Sequence, residues 1–327
     1  MKALVCKAFG TPDSLAMTEL PVPEPAAGEV LIEGHFASLN FPDILMVAGT
    51  YQGCPPLPFV PGMETAGYVR AVGSGVSEFA LGDRVMARTG GFGSFAEYAC
   101  APVSDVYHAP QALPLEMAAG FSVSYGSVYH ALVDRARLQP GENLLVLGAG
   151  GGTGVNAVEV GKLLGARVIA AAGSADKLAA AREFGADEVF NYREEPHFRD
   201  TVKNLTGGHG ADVVFDPVGG DAFDESLRCI AWAGRILVFG FASGRIPQVP
   251  ANHVLVKGCD IVGVFTGAFT RKTPGKSRRN MEQLLAWVEA GRLKPPVPVI
   301  YGLDQVPLAM RHLQERTLVG KAAIRLR

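Results

Sequence analysis

The stretch Asn143–Gly154, NLLVLGAGGGTG, runs on through VNAVEVGKLLGARVIAAAGS to Ser174, and its reading decides the fold. Leu144 to Leu147 form a short apolar run of the kind buried on both faces of a parallel sheet. A glycine-crowded turn follows, then a helical stretch from about Gly154 and a second apolar run, Arg167 to Ala172. Together they make one β-α-β unit, half of a dinucleotide-binding fold. Ala149, Gly151 and Gly154 occupy the three positions of G-x-G-x-x-G, alanine replacing the first glycine, with further glycines at 148, 150 and 152. A missing Cβ at Gly151 lets backbone approach a pyrophosphate, and at Gly154 it lets the helix pack closely on the strand. The helix N-terminus then offers its N–H groups to phosphates. Glycine-rich turns often do no more than join elements; the place of this one between a strand and a helix points to a cofactor.

The end of the second strand selects the cofactor. An NAD site usually carries Asp or Glu there, about 20 residues beyond the glycines, to hold the ribose 2′-hydroxyl. This chain has Gly173, Ser174 and Ala175, followed by Lys177. Nothing there repels a 2′-phosphate, and the Ser174 hydroxyl and Lys177 ammonium can bind one, so NADPH is expected. Asp176 is the competing residue, and its position beyond the turn reads as the cap of a helix starting near Lys177.

The 327 residues leave room for two domains and a substantial core. Thirty basic against 32 acidic residues, with 48% hydrophobic, describe an ordinary globular chain with no general attraction to nucleic acid or an anionic membrane. Lys7 interrupts the apolar N-terminal run MKALVCKAFG, which fits neither a signal peptide nor a membrane span, so a cytoplasmic location is expected. Five cysteines, at 6, 54, 100, 229 and 259, are odd in number and never spaced C-x-x-C. They read as reduced packing residues rather than a disulfide framework or a structural zinc lobe.

Residues 2 to 9, 28 to 37 and 93 to 99 look like strands, and 55 to 85 form short β-rich segments punctuated by Gly and Pro, as in a compact barrel. Residues 115 to 132 have helical spacing. Strands then alternate with helices at 144 to 147, 167 to 172, 188 to 190, 212 to 216, 235 to 239 and 260 to 265, enough for a complete doubly wound sheet. A helix at 280 to 290 and a strand near 321 to 326 follow, in an end segment expected to return to the first domain from about Thr270.

The segments SLNFPD (38 to 43), PFVPGMETAGYVRAVGSGVSEFALGDRV (58 to 85), GSFAEY (93 to 98), SVYHAL (127 to 132), FGADEVFNY (184 to 192), DVVFDPVGG (212 to 220) and GRILVFG (234 to 240) carry a family likeness. With the glycine turn, they make the chain resemble the zinc-independent, zeta-crystallin-like quinone oxidoreductase branch of the medium-chain dehydrogenases and reductases. The resemblance implies an α/β protein with a GroES-like β-rich barrel domain, 1 to 122 with 270 to 327, and a Rossmann domain, 123 to 269. It implies NADPH contacts from Ser127, Ala149, Gly151, Gly152, Thr153, Gly154, Gly173, Ser174, Lys177 and Tyr192, with Phe239, Gly240 and Val264, Phe265 and Thr266 on the nicotinamide side. Core packing beside Phe190 is the competing reading of Tyr192. A homodimer joined along the strand near 260 to 266 is implied as well, and an apolar edge such as IVGVF needs cover.

Zinc-dependent relatives of that family bind a catalytic metal through Cys and His where this chain has Asn40 and Met63, and of the set only Glu64 survives. An amide and a thioether are poor zinc ligands, so no metal is expected. Without a metal to stabilise an alkoxide, the fitting acceptors are quinones and alkenes conjugated to a carbonyl, which carry the incoming charge onto an oxygen that one donor can serve. Tyr51, then Asn40, are the candidate donors, with Asp43 orienting one of them or relaying a proton. The competing reading makes Asn40 and Asp43 caps of the helix beginning at Phe41 or Pro42, and Tyr51 a packing residue. His130 reads as structural. The basic run Arg271, Lys272, Lys276, Arg278 and Arg279 reads as a solvated loop, or, in an enoyl-thioester reductase, as a site for coenzyme A phosphates. A non-catalytic NADPH-binding protein is the alternative from another class.

Overall fold

The computed structural model describes residues 1–327, which divide into two compact units: Met1–Val123 with Lys294–Arg327, and Ser124–Leu293. The helix Pro274–Glu289 therefore belongs with the second unit, not with the first unit as expected from Thr270 onward. Its apolar face explains this: Met281, Leu284 and Val288 are buried, and Trp287 lies 5.7 Å from the Tyr129 ring of the same unit. Only from Lys294 does the chain return to the first unit.

The first unit is built on a mainly antiparallel sheet. Its strands run in the order Val299–Gly302, Ala322–Arg325, Glu29–Leu39, Glu64–Val72, Arg84–Arg88 and Val106–His108, and Tyr98–Pro102 also pairs with Glu29–Leu39. The strand expected at 93 to 99 thus lies a few residues later. Glu29–Leu39 is the long central strand, and its register against Glu64–Val72 slips between Gly34 and Phe36. Gly67 sits opposite this bulge, where a Cβ would fall 1.9 Å from Glu33 O, so the two backbones touch in a way only glycine permits. Apolar residues bury in two clusters: Leu39, Ile44, Met46, Val47, Phe95 and Ile324 in one, Val30, Ile32, Val69, Val85 and Val106 in the other.

The second unit is a six-stranded parallel sheet. Along the chain its strands are Asn143–Leu147, Arg167–Ala172, Glu188–Asn191, Ala211–Asp216, Ile230–Val238 and Asp260–Gly263, and across the sheet they stand in the order 3-2-1-4-5-6. Each expected strand is present, because an unbroken apolar run in a chain of alternating elements has few other places to go. The expected helix over 115 to 132 is broken instead into Leu115–Ala118, Phe121–Tyr129 and a π turn, His130–Arg135. No helix is long and apolar enough to cross a membrane, and all five cysteines are free thiols.

Candidate active site

The cofactor candidates of the second unit gather at the carboxyl ends of the parallel strands. The turn from Gly148 leaves strand Asn143–Leu147, Gly173 and Ser174 leave Arg167–Ala172, and Tyr192 leaves Glu188–Asn191 with its N–H on Ala172 O at 3.2 Å. Phe239 and Gly240 leave Ile230–Val238, both N–H groups donating to Asp216 O at 3.0 and 3.3 Å. Val264, Phe265 and Thr266 leave the edge strand, with Val264 N–H on Val238 O at 3.0 Å. Doubly wound sheets bind ligands at this edge, where the strand order reverses. Here the reversal lies between Asn143–Leu147 and Ala211–Asp216. Ser127 comes instead from helix Phe121–Tyr129, where it is buried.

The glycine turn passes a steric test for a pyrophosphate. A Cβ at Gly154 would lie 2.1 Å from Gly148 O and 2.7 Å from Ala149 Cα, so helix and turn meet backbone to backbone. A Cβ at Gly151 would find nothing nearer than Gly148 O at 3.5 Å, which leaves that face open. Gly151 is also the N-cap of helix Gly152–Leu163 and makes no side-chain cap. The N–H groups of Gly152, Thr153 and Gly154 therefore have no earlier helical carbonyl to reach, and stand ready for an anion.

Two cations flank this turn and the next strand end. A Cβ at Gly150 would fall 2.3 Å from Lys177 Cβ, so the Lys177 stem packs on the turn. A Cβ at Gly173 would fall 2.8 Å from Arg193 Nε, so the Arg193 side chain covers that glycine. Arg193 was not among the residues expected from sequence; the signal was a basic residue directly after Tyr192 in FNYREE. Ser174, not Asp176, is the N-cap: the helix begins at Ala175 and runs to Glu183, placing Asp176 in its first turn, where the helix dipole favours an acid. Tyr192 is half-buried against the cluster holding Phe190 and Phe198. In the basic run, Lys276 Nζ is bound to Asp134 Oδ1 at 2.7 Å and Arg278 pairs with Glu282 at 3.6 Å, so two of its five cations already have partners within the unit.

The first unit holds a buried polar cluster around Asn40. The Asn40 Nδ2 donates to Glu64 Oε1 at 3.0 Å and to Ser38 O at 3.3 Å, while Asn40 Oδ1 accepts from Lys321 Nζ at 2.8 Å. Glu64 Oε2 accepts the Val123 N–H at 2.8 Å, and Lys321 Nζ lies 3.5 Å from Glu64 Oε1. Both ends of the Asn40 amide are thus engaged within the cluster. Asp43, fully buried, accepts the Asn40 N–H at 2.8 Å in the first turn of helix Phe41–Val47. It thereby orients the backbone at Asn40. Tyr51 follows that helix and packs, half-buried, against the core around Met46, Phe59 and Ile324.

This cluster does not fit a catalytic zinc. No group of three or more His, Cys, Asp or Glu side chains is placed to hold a metal ion, and the surviving carboxylate, Glu64, is satisfied by an amide, an N–H and an ammonium. Lys321 supplies the positive charge that this carboxylate faces.

Burial pushes the Asp43 carboxyl up to about 7 and the Asp216 carboxyl up to about 6, the latter despite N–H bonds to its Oδ1 from Val218 and Gly219 at 2.7 and 2.8 Å. Both bind a proton more tightly folded than unfolded. Their contribution to stability is therefore complete below about pH 4 and declines as pH rises through the folded values. Urea unfolding midpoints of wild type and Asp216→Asn, compared between about pH 4 and pH 8, should diverge in slope mainly below the Asp43 range. Parallel curves would show that Asp216 does not titrate there.

Two family models match the chain: "Alcohol dehydrogenase GroES-like domain" over residues 26–111 and "Zinc-binding dehydrogenase" over 152–290. The quinone oxidoreductase-like protein 2 homolog of Nematostella vectensis is 39% identical over 99% of this chain and 88% of its own length. A mycobacterial protein whose structure was determined in complex with NADPH superposes with a TM-score of 0.92 at 31% identity, covering 99% of both chains. A structure described as an NAD-dependent alcohol dehydrogenase superposes with a TM-score of 0.90 at 34% identity, also covering 99% of both.

Proposed function

Because the chain belongs to the zeta-crystallin-like quinone oxidoreductase branch of the medium-chain dehydrogenases and reductases, we propose that it is an NADPH-dependent reductase. Its acceptors are quinones or other conjugated carbonyl compounds. The observation that carries this reading is the strand end at Gly173 and Ser174, which bears no carboxylate and is flanked by Lys177 and Arg193. NADPH when bound supplies the hydride. The chain supplies the rest: N–H groups of Gly152, Thr153 and Gly154 for the pyrophosphate, Lys177 and Arg193 with Ser174 and Tyr192 for the 2′-phosphate, and the Phe239–Gly240 and Val264–Thr266 backbone for the nicotinamide side.

The donor set around Asn40 does not fit a metal, so the acceptor's developing charge must be met by a hydrogen bond. Tyr51 is the residue we assign to that task, with the Asn40 cluster fixing the helix that leads to it. Initial rates with a para-quinone and with an unsaturated ketone of similar size test both statements. We expect quinone to be the better acceptor and Tyr51→Phe to lower kcat/KM for it about 10- to 100-fold, as for loss of one donor to a developing anion. An unchanged kcat/KM removes Tyr51, and preference for the ketone makes the protein a double-bond reductase.

The assembly we propose is a homodimer in the cytoplasm. Asp260–Gly263 is an edge strand paired only with Ile230–Val238, and beside this edge of the unit Trp232, Leu255 and Val256 are 74%, 80% and 71% exposed. A second copy meeting this edge would cover both the open backbone and the apolar side chains.

A further inference from the structure

One turn of the second unit touches residues on either side of the segment Val264–Thr266, Gly263 before it and Phe269 beyond it. The helix Phe121–Tyr129 widens into the π turn His130–Arg135, where the Ala136 N–H reaches back to Ala131 O at 2.8 Å. Such single wide turns change which side chains share a face, and frequently mark functional places in a helix. From this turn Arg135 Nε donates at 3.0 Å to Gly263 O, the last residue of the edge strand and the one directly before Val264. From its other end the His130 ring stacks on Phe269, centroids 3.7 Å apart and planes at 14°. Phe269 belongs to the helix Thr266–Lys272 that begins where the segment stops.

Asp134 lies between these two contacts, its side chain 6% exposed. Its Oδ2 accepts from His130 Nδ1 at 2.8 Å and from Asn280 Nδ2 at 2.7 Å, and its Oδ1 is paired with Lys276 at 2.7 Å. Burial alone would raise this carboxyl; Lys276, His130 and Asn280 outweigh it and hold the group below its usual range. Burial also lowers His130, with Arg135 and Lys276 adding to that against Asp134. The imidazole is thus held through Nδ1 on the carboxylate, with the ring flat on Phe269.

We propose that the π turn His130–Arg135 is a positioning device for the nicotinamide-facing segment: Arg135 fixes its entry at Gly263, and His130, held by Asp134, fixes its exit at Phe269. The inference rests on the NADPH reading above. None of the three residues is a catalytic residue; each acts through the backbone of 264 to 266. The Arg135 bond is exposed, so its loss leaves the core intact.

Arg135→Met and His130→Leu, each purified as the full chain, would be measured in two ways. The first is binding of NADPH and of adenosine 2′,5′-bisphosphate, which carries the 2′-phosphate end but no nicotinamide. The second is amide hydrogen exchange over residues 264–269 in protein free of cofactor. We expect fragment affinity within about twofold of wild type, NADPH affinity about tenfold weaker, and exchange over 264–269 about tenfold faster, the loss of one contact holding that segment. Unchanged NADPH affinity and unchanged exchange would overturn the proposal, as would equal weakening of NADPH and fragment, which marks general damage. Wild type that binds neither compound would reject the cofactor reading instead, and the exchange data would still decide whether this turn holds the segment.

Discussion

Lys321→Met will destabilise the first unit by about 3–5 kcal/mol, the usual cost of removing one partner from a buried ion pair. Lys321 is 11% exposed at its side chain and Glu64 1%, so neither charge has water to fall back on. Without the ammonium, Glu64 keeps only Asn40 and Val123 as donors, and Asn40 Oδ1 loses the donor at 2.8 Å. Burial already drives the Glu64 pKa above its usual range against the pull of Lys321, Asn40 and Val123, and the variant should drive it further. The melting transition of this unit should fall by roughly 10 °C or more. Adding Glu64→Gln should recover part of that loss, because the burden is the uncompensated charge rather than the missing contact. A double variant no better than Lys321→Met alone would show that the charge pair is not what holds this cluster.

Lys177→Ala and Arg193→Ala should each reduce kcat/KM for NADPH about 10- to 100-fold while leaving the value for NADH nearly unchanged. A charge-assisted hydrogen bond to phosphate is worth about 1.5–3 kcal/mol, and NADH has no 2′-phosphate to lose. The two cations approach different glycines, Gly150 and Gly173, but answer to one phosphate, so their effects should be coupled rather than additive, and the double variant should prefer NADPH no longer. The sequence bears on this directly: a carboxylate at 173 or 174 would compete with the phosphate, and none is there. Steady-state rates with both cofactors decide the matter. Equal losses with NADPH and NADH would place the two side chains elsewhere than at the 2′-phosphate.

The Rossmann unit was legible in the sequence because its signals are local. Leu144 to Leu147, the glycines and Arg167 to Ala172 each specify an element without reference to anything distant, and the alternation of elements then orders the sheet. Where local signals compete, the outcome was less accessible. Ser174 and Asp176 are both good caps, and the backbone chose the first, where the strand ends. The break between Ala119 and Phe121 depends on Gly120, where a Cβ would lie 2.9 Å from both Lys321 Cε and Ser38 Oγ, contacts separated by most of the chain. The π turn carries no composition signal, and the partners of His130, Asp134 and Arg135 on other elements are distant in the chain: Phe269, Lys276 with Asn280, and Gly263.

The candidate site divides in the same way. The glycine turn, Ser174 and Lys177 announce themselves by motif and Tyr192 only through the family likeness, whereas Arg193 is recognised only when its side chain is seen over Gly173. Asn40 and Asp43 were identified as a pair, but which of their two roles they fill depends on Lys321, 281 residues from Asn40. A cation that far along the chain cannot be assigned to an amide by pattern.

The return of the chain to its first unit sets an order of events during synthesis. Residues 124–293 are contiguous, so that unit can close as soon as they have left the ribosome. The first unit cannot, because Ala322–Arg325 lies between Val299–Gly302 and Glu29–Leu39 and brings Lys321 to the waiting Asn40 and Glu64. Until Lys321 to Arg325 have been made, Glu29–Leu39 lacks its partner on that side and Glu64 lacks the ammonium it faces.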